Sequence, residues 1–422
     1  MNCSKRKPLI SLSFLFFLND LDILILKQLL ILGGGFLQIY VIKRAKELGY
    51  YVHVLDGDSQ ARGYKYADKY EVIDIKDEEE CLRYARENNI DGVLTAATDF
   101  SVLSVSRISS ELHLPGINYK SATLIKNKAS VRKCLFDAKA DDTGYSFEIS
   151  SLEDIPDVLK IIHFPVMVKP CDGSGSRGAS RVDKAEDFEQ ACIEAMNASS
   201  SHRVVAEPFV PGKEYGVESY VDQDEIRVLA VMQKEMTEHP YYAELGHAIP
   251  SGLSSEMECK VINCVKRAIM ALGVNRGSVN MDILIGADGD VHIVDVGARM
   301  GGNLIGSHIV PLGTGIDYMG NMIKAAVGDP TDWGIPNSLR PVATKLLALT
   351  PGVIQALPDF DAIEKQYGVK IEHHLKVGDV INEYHTNLDG CGYVVATADN
   401  VDAAIQKAAF VKKLIDRSIE RE

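Results

Sequence analysis

The sequence predicts an α/β protein of several domains, on three observations. The chain has 422 residues, more than a single hydrophobic core usually serves, so two to four domains or subdomains are expected. Its apolar fraction of 46% is that of a globular protein. From residue 28 onward, short apolar strands alternate with amphipathic helical patterns, which predicts a parallel sheet with helical crossovers.

The predicted N-terminal α/β domain covers residues 28–125. Apolar strands are expected at 29–32, 51–55 and 92–95, and helices at 39–48, 78–88 and 100–112. Three glycines, Gly33 to Gly35, follow the first strand and allow either a ligand contact or a tight strand–helix turn. Their spacing is not G-x-G-x-x-G, which disfavours a nicotinamide dehydrogenase.

Two further domains are predicted after residue 125. The middle domain, residues 126–330, has expected strands at 164–169, 204–207, 213–221, 279–285 and 291–296, and a helix at 256–272. The remainder, residues 331–422, has short strands and a last helix at 401–419, which predicts a small C-terminal α+β cap.

Composition excludes several classes of protein. The net charge of −14 argues against a nucleic-acid partner, because phosphate backbones attract basic surfaces. The eight cysteines are scattered without a C-x-x-C pair, which indicates reduced thiols rather than a disulfide framework or a zinc site. We expect a cytoplasmic protein without a membrane partner, and a homodimer is compatible with the sequence.

The N-terminus resembles a secretory signal in part. A basic segment, residues 5–7, precedes an apolar run at 9–18. The run is too short to span a bilayer, it stops at Asn19 and Asp20, and no small-residue cleavage site follows. We interpret residues 1–27 as a cytosolic extension outside the fold, with a secretory signal as the alternative.

Two acidic residues predict a metal site. Asp288-Gly289 predicts a two-residue hairpin turn, which places Asp282 directly opposite Asp295 on one face of the strand pair. Carboxylates with Cβ atoms roughly 5 Å apart destabilise a sheet unless a cation neutralises them. Mg²⁺, with Mn²⁺ as a substitute, fits this pattern, and Arg299 beyond the pair can hold an anion. A solvated acidic face is the alternative.

A second group of residues suggests a polyphosphate. Lys169 ends a buried strand, where an ammonium group without a partner is costly, and a phosphate would remove that cost. The run that follows contains Ser174, Gly175 and Ser176, whose backbone N–H groups suit a mobile lid over phosphates. A simple exposed loop is the alternative for this run.

Together these residues resemble the ATP-grasp superfamily in order and spacing, over residues 28–329. The pattern consists of Lys128, Lys169, the Gly/Ser run, the segment 207–214, Asp282 and the segment 295–299. The resemblance implies a pre-ATP-grasp α/β domain and a two-lobed α+β ATP-grasp domain that holds ATP between two sheets, and the small C-terminal α+β cap predicted above would follow them.

The resemblance also implies roles at the nucleotide. Lys128 and Lys169 would bind phosphates, and Glu207 would accept a hydrogen bond from the adenine amino group. The backbone at Phe209 and Val210 would complete the adenine contact.

The same resemblance extends to the ribose and the reacting groups. Glu214 would hold the ribose hydroxyls, and Asp282 and Asp295 would ligate magnesium. Arg299 would steady the substrate carboxylate or its acyl phosphate, so Arg299 and Lys169 are the expected catalytic residues.

One difference from the superfamily pattern indicates which branch of the superfamily the sequence resembles most. Many members have Asn two residues after the second acidic ligand, where this chain has Gly297, and Asn280 on the opposite strand could substitute for it. A missing Asn with a retained Arg is most similar to L-amino-acid ligases that make dipeptides. The branch implies substrate contacts at Glu244, His247 and Gly302, with a surface-loop histidine as the alternative for His247.

The expected function is an ATP- and magnesium-dependent ligase. It would activate a small-molecule carboxylate, such as an amino acid, as an acyl phosphate and couple it to an amine, with release of ADP and phosphate. A bicarbonate-using carboxylase or carbamoyl-phosphate-synthase-like enzyme is the first alternative, and a non-catalytic ATP sensor is the second.

Overall fold

The computed structural model describes residues 26–173, 177–223, 225–237, 242–334 and 339–422. The predicted lid residues Ser174, Gly175 and Ser176 lie outside this part of the chain, as does nearly all of the predicted extension. Lys27, which we had counted with that extension, contacts the fold: its Nζ is 2.7 Å from Asp329 Oδ1. Among the described residues, no helix combines the length and apolar character needed to cross a membrane.

The N-terminal domain is a four-stranded parallel sheet. Its strands are β1 (Gln28–Leu32), β2 (Tyr51–Asp56), β3 (Lys69–Val72) and β4 (Gly92–Leu94), in the order β3-β2-β1-β4. Its helices are α1 (Ile39–Glu47), α2 (Glu78–Glu87) and α3 (Val102–Glu111). The alternation predicted from the apolar pattern is confirmed. Because all four strands run the same way, their carboxyl ends meet at one edge, and the loop after β4 carries Asp99.

Two short helices lead out of this domain. They are α4 (Tyr119–Ile125) and α5 (Lys128–Ala138), and each begins after a capping asparagine. The Asn127 side chain accepts a hydrogen bond from Ser130 N at 2.9 Å, which starts α5 at Lys128. Lys128 N also donates to Cys171 O at 2.8 Å, so the helix start is fastened to the end of a neighbouring strand.

A small antiparallel sheet forms the first lobe of the middle domain. Its strands are β5 (Phe147–Ile149), β6 (Val166–Pro170), β7 (Ser180–Val182) and β8 (Val204–Pro208), in the order β5-β8-β6-β7. The helices α6 (Ile155–Val158) and α7 (Phe188–Ala198) accompany it. Apolar residues of the strands and of α7 form one buried cluster, which leaves Lys169 and Glu207 at the polar side of the lobe.

The second lobe and the C-terminal segment share one sheet. The remaining strands are β9 (Gly212–Asp222), β10 (Glu225–Met236), β11 (Glu244–Ile249), β12 (Arg276–Gly286), β13 (Val291–Gly297), β14 (Val342–Leu346), β15 (Gly352–Ala356), β16 (Val369–His373), β17 (Val380–Ile381), β18 (Gly392–Thr397) and β19 (Glu420–Arg421). The remaining α-helices are α8 (Ser255–Ala271), α9 (Val310–Thr314), α10 (Tyr318–Ala326), α11 (Phe360–Tyr367) and α12 (Val401–Ser418).

The large sheet has the order β13-β12-β9-β10-β11-β14-β18-β16. Three strands of the predicted C-terminal cap therefore continue the sheet that contains the middle domain's acidic residues, through the β11–β14 pair. A smaller sheet, β17-β15-β19, completes the C-terminal segment. The mixed α/β fold class predicted from the sequence is confirmed, while the domain boundaries stay a prediction.

The β12–β13 hairpin corrects one expectation. The two-residue turn predicted at Asp288-Gly289 is wrong, because Gly286 N donates to Asp290 O at 3.0 Å and closes a three-residue loop. Gly289 has φ +82°, the left-handed conformation that such a loop requires. A register shift after Asp282 then offsets the longer loop, so Asp282 still pairs with Asp295 as predicted.

Candidate active site

A cavity of about 830 Å³ lies between the small sheet, the large sheet and the loops of the N-terminal domain. It brings together every predicted site residue that the structure describes. They are Lys128, Lys169, Glu207, Phe209, Val210, Glu214, Glu244, His247, Asp282, Asp295, Arg299 and Gly302. The cavity also contains charged residues that the sequence did not single out, namely Asp99, Arg132 and Lys234.

At one end, Glu207 is the counter-ion of two cations. Its buried carboxylate contacts Arg132 Nε and lies 2.5 Å from Lys169 Nζ. Burial opposes ionisation of Glu207, but Arg132 and Lys169 outweigh it and lower its pKa to about 2. Arg132 follows Lys128 by four residues on α5, so both face the cavity, and this helical spacing was the available signal for Arg132.

The segment after β8 carries the two residues expected to contact adenine. Phe209 N donates to Pro165 O at 3.1 Å, so this N–H group is already used within the protein. The Arg181 guanidinium lies 4.2 Å from the centre of the Phe209 ring, which holds the ring over the cavity mouth. Val210 lines the cavity beside it.

Lys234 occupies the centre of the acidic end. This lysine, on β10, has only 1% of its side chain exposed, and its Nζ lies 2.7 Å from Glu244, 2.9 Å from Asp282 and 3.5 Å from Glu214. Burial raises the pKa of Asp282 to about 6, although Lys234 acts in the opposite direction. In the sequence, Lys234 lies in the polar stretch Gln233–Glu235 without a motif around it, so its place among three carboxylates was missed.

The two predicted metal ligands each have a lysine. Asp295 contacts Lys128, and although burial opposes it, this lysine lowers the pKa of Asp295. Asp282 is paired with Lys234. The expected repulsion between Asp282 and Asp295 without a metal ion is therefore wrong, because two ammonium groups already neutralise the pair.

The donor set still fits a hard divalent cation. Mg²⁺ is held in proteins by one or two carboxylates, with phosphate oxygens and water completing its shell. Asp282 and Asp295 face each other across β12 and β13 and both line the cavity. Within the described ranges, no group of three or more acidic, His or Cys side chains is arranged around a metal position, so phosphate oxygens would complete the shell.

Arg299 has two nitrogen atoms whose N–H groups have no acceptor in the described part of the chain. Its Nη2 donates to Asp99 Oδ2 at 2.8 Å, while Nε and Nη1 are buried and have no partner in the described part of the chain. Buried donors without acceptors are costly, so a ligand anion would stabilise this arrangement.

The far end of the cavity contains the predicted substrate residues. Glu244 contacts Asn303 and lies 3.1 Å from Asn387 Nδ2, while Tyr393 donates to Asn303 at 2.7 Å. Burial opposes ionisation of Glu244, but Lys234 outweighs it and lowers its pKa to about 2. The C-terminal segment therefore supplies part of the wall around this carboxylate.

His247 is buried in the same wall. It is 3% exposed, so the alternative of a surface-loop histidine is wrong. Burial lowers its pKa to about 4, which leaves the imidazole neutral at pH 7. Its Nδ1 has no hydrogen-bond partner among the residues with described positions.

Glu218 is a buried hydrogen-bond acceptor that holds residues around the site. It is fully buried, and it accepts hydrogen bonds from Tyr318 Oη at 2.5 Å, Asn280 Nδ2 at 2.9 Å and Gly301 N at 3.1 Å. Burial raises its pKa to about 7, with the hydrogen bonds acting in the opposite direction. Glu218 thereby holds Asn280 and the loop after β13, which carries Arg299.

Replacing Glu207 tests the counter-ion role. We expect Glu207→Ala to lower the free energy of unfolding by about 3–5 kcal/mol, because Arg132 and Lys169 stay buried without a charge partner. Glu214→Ala is the matched control, since Lys234 keeps two other carboxylates. Urea unfolding of both variants measures this, and equal stability of the two would contradict the assignment.

Replacing Glu218 tests the buried carboxyl group. Its pKa rises from 4.5 to about 7 on folding, so it stabilises the fold below pH 4.5 and loses this contribution as pH rises through 7. We expect Glu218→Gln to gain melting temperature relative to wild type as pH increases from 4.5 to 8. Exposed Glu225→Gln is the control, and a difference between Glu218→Gln and wild type that does not change with pH would refute the prediction.

Comparisons with known proteins agree with this geometry. Residues 162–307 match the family model described as an ATP-grasp domain, and residues 345–420 match the L-amino acid ligase C-terminal domain 2. The crystal structure of an L-amino acid ligase from Bacillus licheniformis shares the fold, with a TM-score of 0.80 and 21% identity, over 94% of this chain and 99% of that one.

Two curated relatives are also similar to this chain in sequence. An uncharacterized protein of Sinorhizobium fredii, y4rH, is 26% identical over 381 residues, 87% of this chain and 78% of that protein. Carnosine synthase 1 of Mus musculus is 23% identical over 322 residues, 69% of this chain, which spans only 39% of that protein. The chain therefore contains an ATP-grasp domain at residues 162–307 and the L-amino acid ligase C-terminal domain 2 at residues 345–420, and ligases with an ATP-grasp domain are ATP-dependent, ADP-forming carboxylate–amine ligases.

Proposed function

We propose that this chain is a Mg²⁺-dependent ligase that activates the carboxylate of an amino acid as an acyl phosphate and couples it to a second amine. The observation that carries the proposal is Arg299, which lines the same cavity as Asp282 and Asp295 and has two buried donors without a partner among the described residues. The matched L-amino acid ligase domain and the relative named carnosine synthase support an amino acid substrate.

The nucleotide would bind by taking the place of carboxylates that are paired with two lysines of the cavity. Lys128 is held by Asp295 and Lys169 by Glu207, and both lysines line the cavity. Phosphate oxygens of ATP would replace these carboxylates as acceptors, which keeps the buried ammonium groups paired throughout. Glu207 and the Phe209–Val210 segment would then face the adenine, and Glu214 the ribose.

Asp282 and Asp295 would hold Mg²⁺, or Mn²⁺ in its place. The ion supplies neutralisation of the charge on the transferring phosphoryl group. Release of Asp295 from Lys128 by the nucleotide frees this carboxylate for the metal, so nucleotide and metal would favour each other's binding. Lys169 would contribute a second positive charge beside the same phosphates.

In the first step, a carboxylate oxygen of the substrate attacks the γ-phosphorus, and the bond from that phosphorus to the oxygen of ADP breaks. Arg299 would bind the carboxylate and then the acyl phosphate that forms. In the second step, the amine nitrogen attacks the acyl carbon, phosphate leaves and the amine loses a proton. A cavity lined by the C-terminal segment would exclude water while the acyl phosphate exists.

The substrate's ammonium group would bind near Glu244. This carboxylate is ionised at pH 7, because its pKa is about 2. His247, which is neutral at that pH, would act as a hydrogen-bonding group, and Gly302 would leave room for the substrate beside it. We further propose a cytoplasmic enzyme whose partners are small molecules, with a homodimer as its assembly; the scattered cysteines support the compartment.

A matrix of amino acids tests the proposal. Pairs of amino acids are incubated with ATP and Mg²⁺, ADP and phosphate are measured, and products are identified by mass. We expect phosphate release that requires both amino acids and a product mass equal to their sum less one water.

Two arms separate the alternatives. Arg299→Met should bind ATP like wild type and release no phosphate, because the anion contact is missing. Phosphate release that needs bicarbonate instead of an amino acid would favour a carboxylase. ATP binding without phosphate release under any pairing would favour the sensor, and either result would overturn the ligase.

A further inference from the structure

We propose that Asp99, from the N-terminal domain, is the positioning residue for Arg299, and that Gly297 provides the space in which this pair forms. The inference rests on the proposed function in one respect, the assignment of Arg299 to an anionic ligand. It adds a side chain from outside the ATP-grasp lobes to the reaction, and it gives a physical reason for the glycine at position 297.

The contact is direct and its two loops are fastened together. Arg299 Nη2 donates to Asp99 Oδ2 at 2.8 Å. Ala97 N donates to Met300 O at 3.0 Å, and Ala96 forms a parallel bridge with Met300. The loop that carries Asp99 and the loop that carries Arg299 are therefore joined through their backbones, which fixes where the carboxylate stands.

A second contact supports the loop of Asp99. Gln38, a buried residue at the start of α1, donates from Nε2 to Ala96 O at 2.6 Å. The carbonyl group of Ala96 is thus held from the first crossover of the N-terminal domain. The backbone that leads to Asp99 is therefore anchored at Ala96 and Ala97, as the support of a positioning residue must be.

Without Asp99, Arg299 would have two other carboxylates to move toward. The charge of Arg299 also interacts with Glu218 and Asp295. A guanidinium that moved to Asp295 would occupy a carboxylate proposed for the metal and would leave the anion position. Asp99 would oppose both movements, because it holds Nη2 and leaves Nε and Nη1 without a protein partner in the described part of the chain.

Gly297, the last residue of β13, lies next to the Arg299–Asp99 pair. A Cβ atom at position 297 would lie 3.1 Å from Arg299 Cζ and 3.1 Å from Asp99 Oδ1. Both distances are shorter than ordinary van der Waals contact, so a Cβ atom here would require the two groups to shift by a few tenths of an ångström. The glycine that departs from the usual Asn pattern therefore leaves the space in which the Arg299–Asp99 pair has this geometry.

Binding of inorganic phosphate tests the proposal without an amino acid substrate. Phosphate is titrated calorimetrically into the full chain in the presence of ADP and MgCl₂. We expect Asp99→Ala to weaken phosphate binding about tenfold, the low end of the contribution of a hydrogen bond to a charged group. Gly297→Ala should weaken it in the same direction, and ADP affinity should stay at the wild-type value in both.

A double-mutant cycle separates positioning from general stability. In an Arg299→Met background, Asp99→Ala should have no further effect on phosphate affinity, because the group it positions is gone. Asp99→Asn, which keeps one acceptor, the amide oxygen, and changes the shape of the side chain less than alanine does, should lie between wild type and Asp99→Ala. Glu87→Ala, which breaks the exposed Arg83–Glu87 pair, is the control and should bind phosphate like wild type.

The outcomes are distinct from those of the amino acid matrix. Wild-type phosphate affinity in Asp99→Ala, tighter binding in Asp99→Ala, or an additive loss in the double variant would overturn the positioning role. Absence of phosphate binding to wild type would overturn it as well, because Arg299 would not be an anion site. A negative matrix with an intact cycle would instead reject the proposed substrates and leave Asp99 as the positioning residue.

Discussion

Burial of charge in one cavity is the constraint on which the rest of the structure depends. An ionised side chain removed from water is costly unless an opposite charge lies beside it, and removal of one partner costs more than the pair contributes. The cations of this cavity that are buried or half-buried meet the condition through a carboxylate from a different element of the fold. The pairs are Lys169 and Arg132 with Glu207, Lys128 with Asp295, Lys234 with Asp282 and Glu244, and Arg299 with Asp99. The two lobes and the N-terminal domain are therefore joined through the site itself.

The same pairing gives the protein a way to bind a highly charged nucleotide. A preformed cluster of free lysines would repel itself, and a cluster of free carboxylates would do the same. Internal pairs avoid both costs, and ATP with its metal ion replaces one set of partners by another. Breaking the internal pairs costs free energy and so lowers the affinity for the nucleotide. It also makes binding depend on a ligand that pairs with both the cations and the carboxylates of the cavity.

Much of the framework could be predicted from the sequence, because apolar periodicity is a local signal. The strand–helix alternation of the first domain and the helix at Ser255–Ala271 follow directly from it. The pairing of Asp282 with Asp295 was also predicted, although through a turn that the structure corrects: the loop is one residue longer and a register shift compensates. Asp288-Gly289 suits both loop lengths, since each needs a glycine in the left-handed conformation, so the dipeptide alone could not decide between them.

The residues that were missed are those whose role depends on long-range partners. Lys234 has polar neighbours on both sides in the sequence, and only the folded sheet brings Glu214, Glu244 and Asp282 around it. Asp99 follows a strand of another domain, about two hundred positions before Arg299 in the chain, and no spacing rule connects them. The extension of the large sheet by the C-terminal strands was missed for the same reason. Local periodicity predicts where strands are but does not determine their order in a sheet.

Transfer of oxygen from substrate to phosphate tests the central claim, that this cavity makes an acyl phosphate. An amino acid that supports phosphate release is prepared with ¹⁸O in both carboxylate oxygens, and the phosphate formed is analysed by mass spectrometry. When the activated amino acid carries the label, we expect one ¹⁸O atom in each phosphate released, because a carboxylate oxygen attacks the γ-phosphorus and leaves with it when the amine displaces phosphate. Phosphate without label, whichever amino acid of the pair carries the ¹⁸O, would contradict this result.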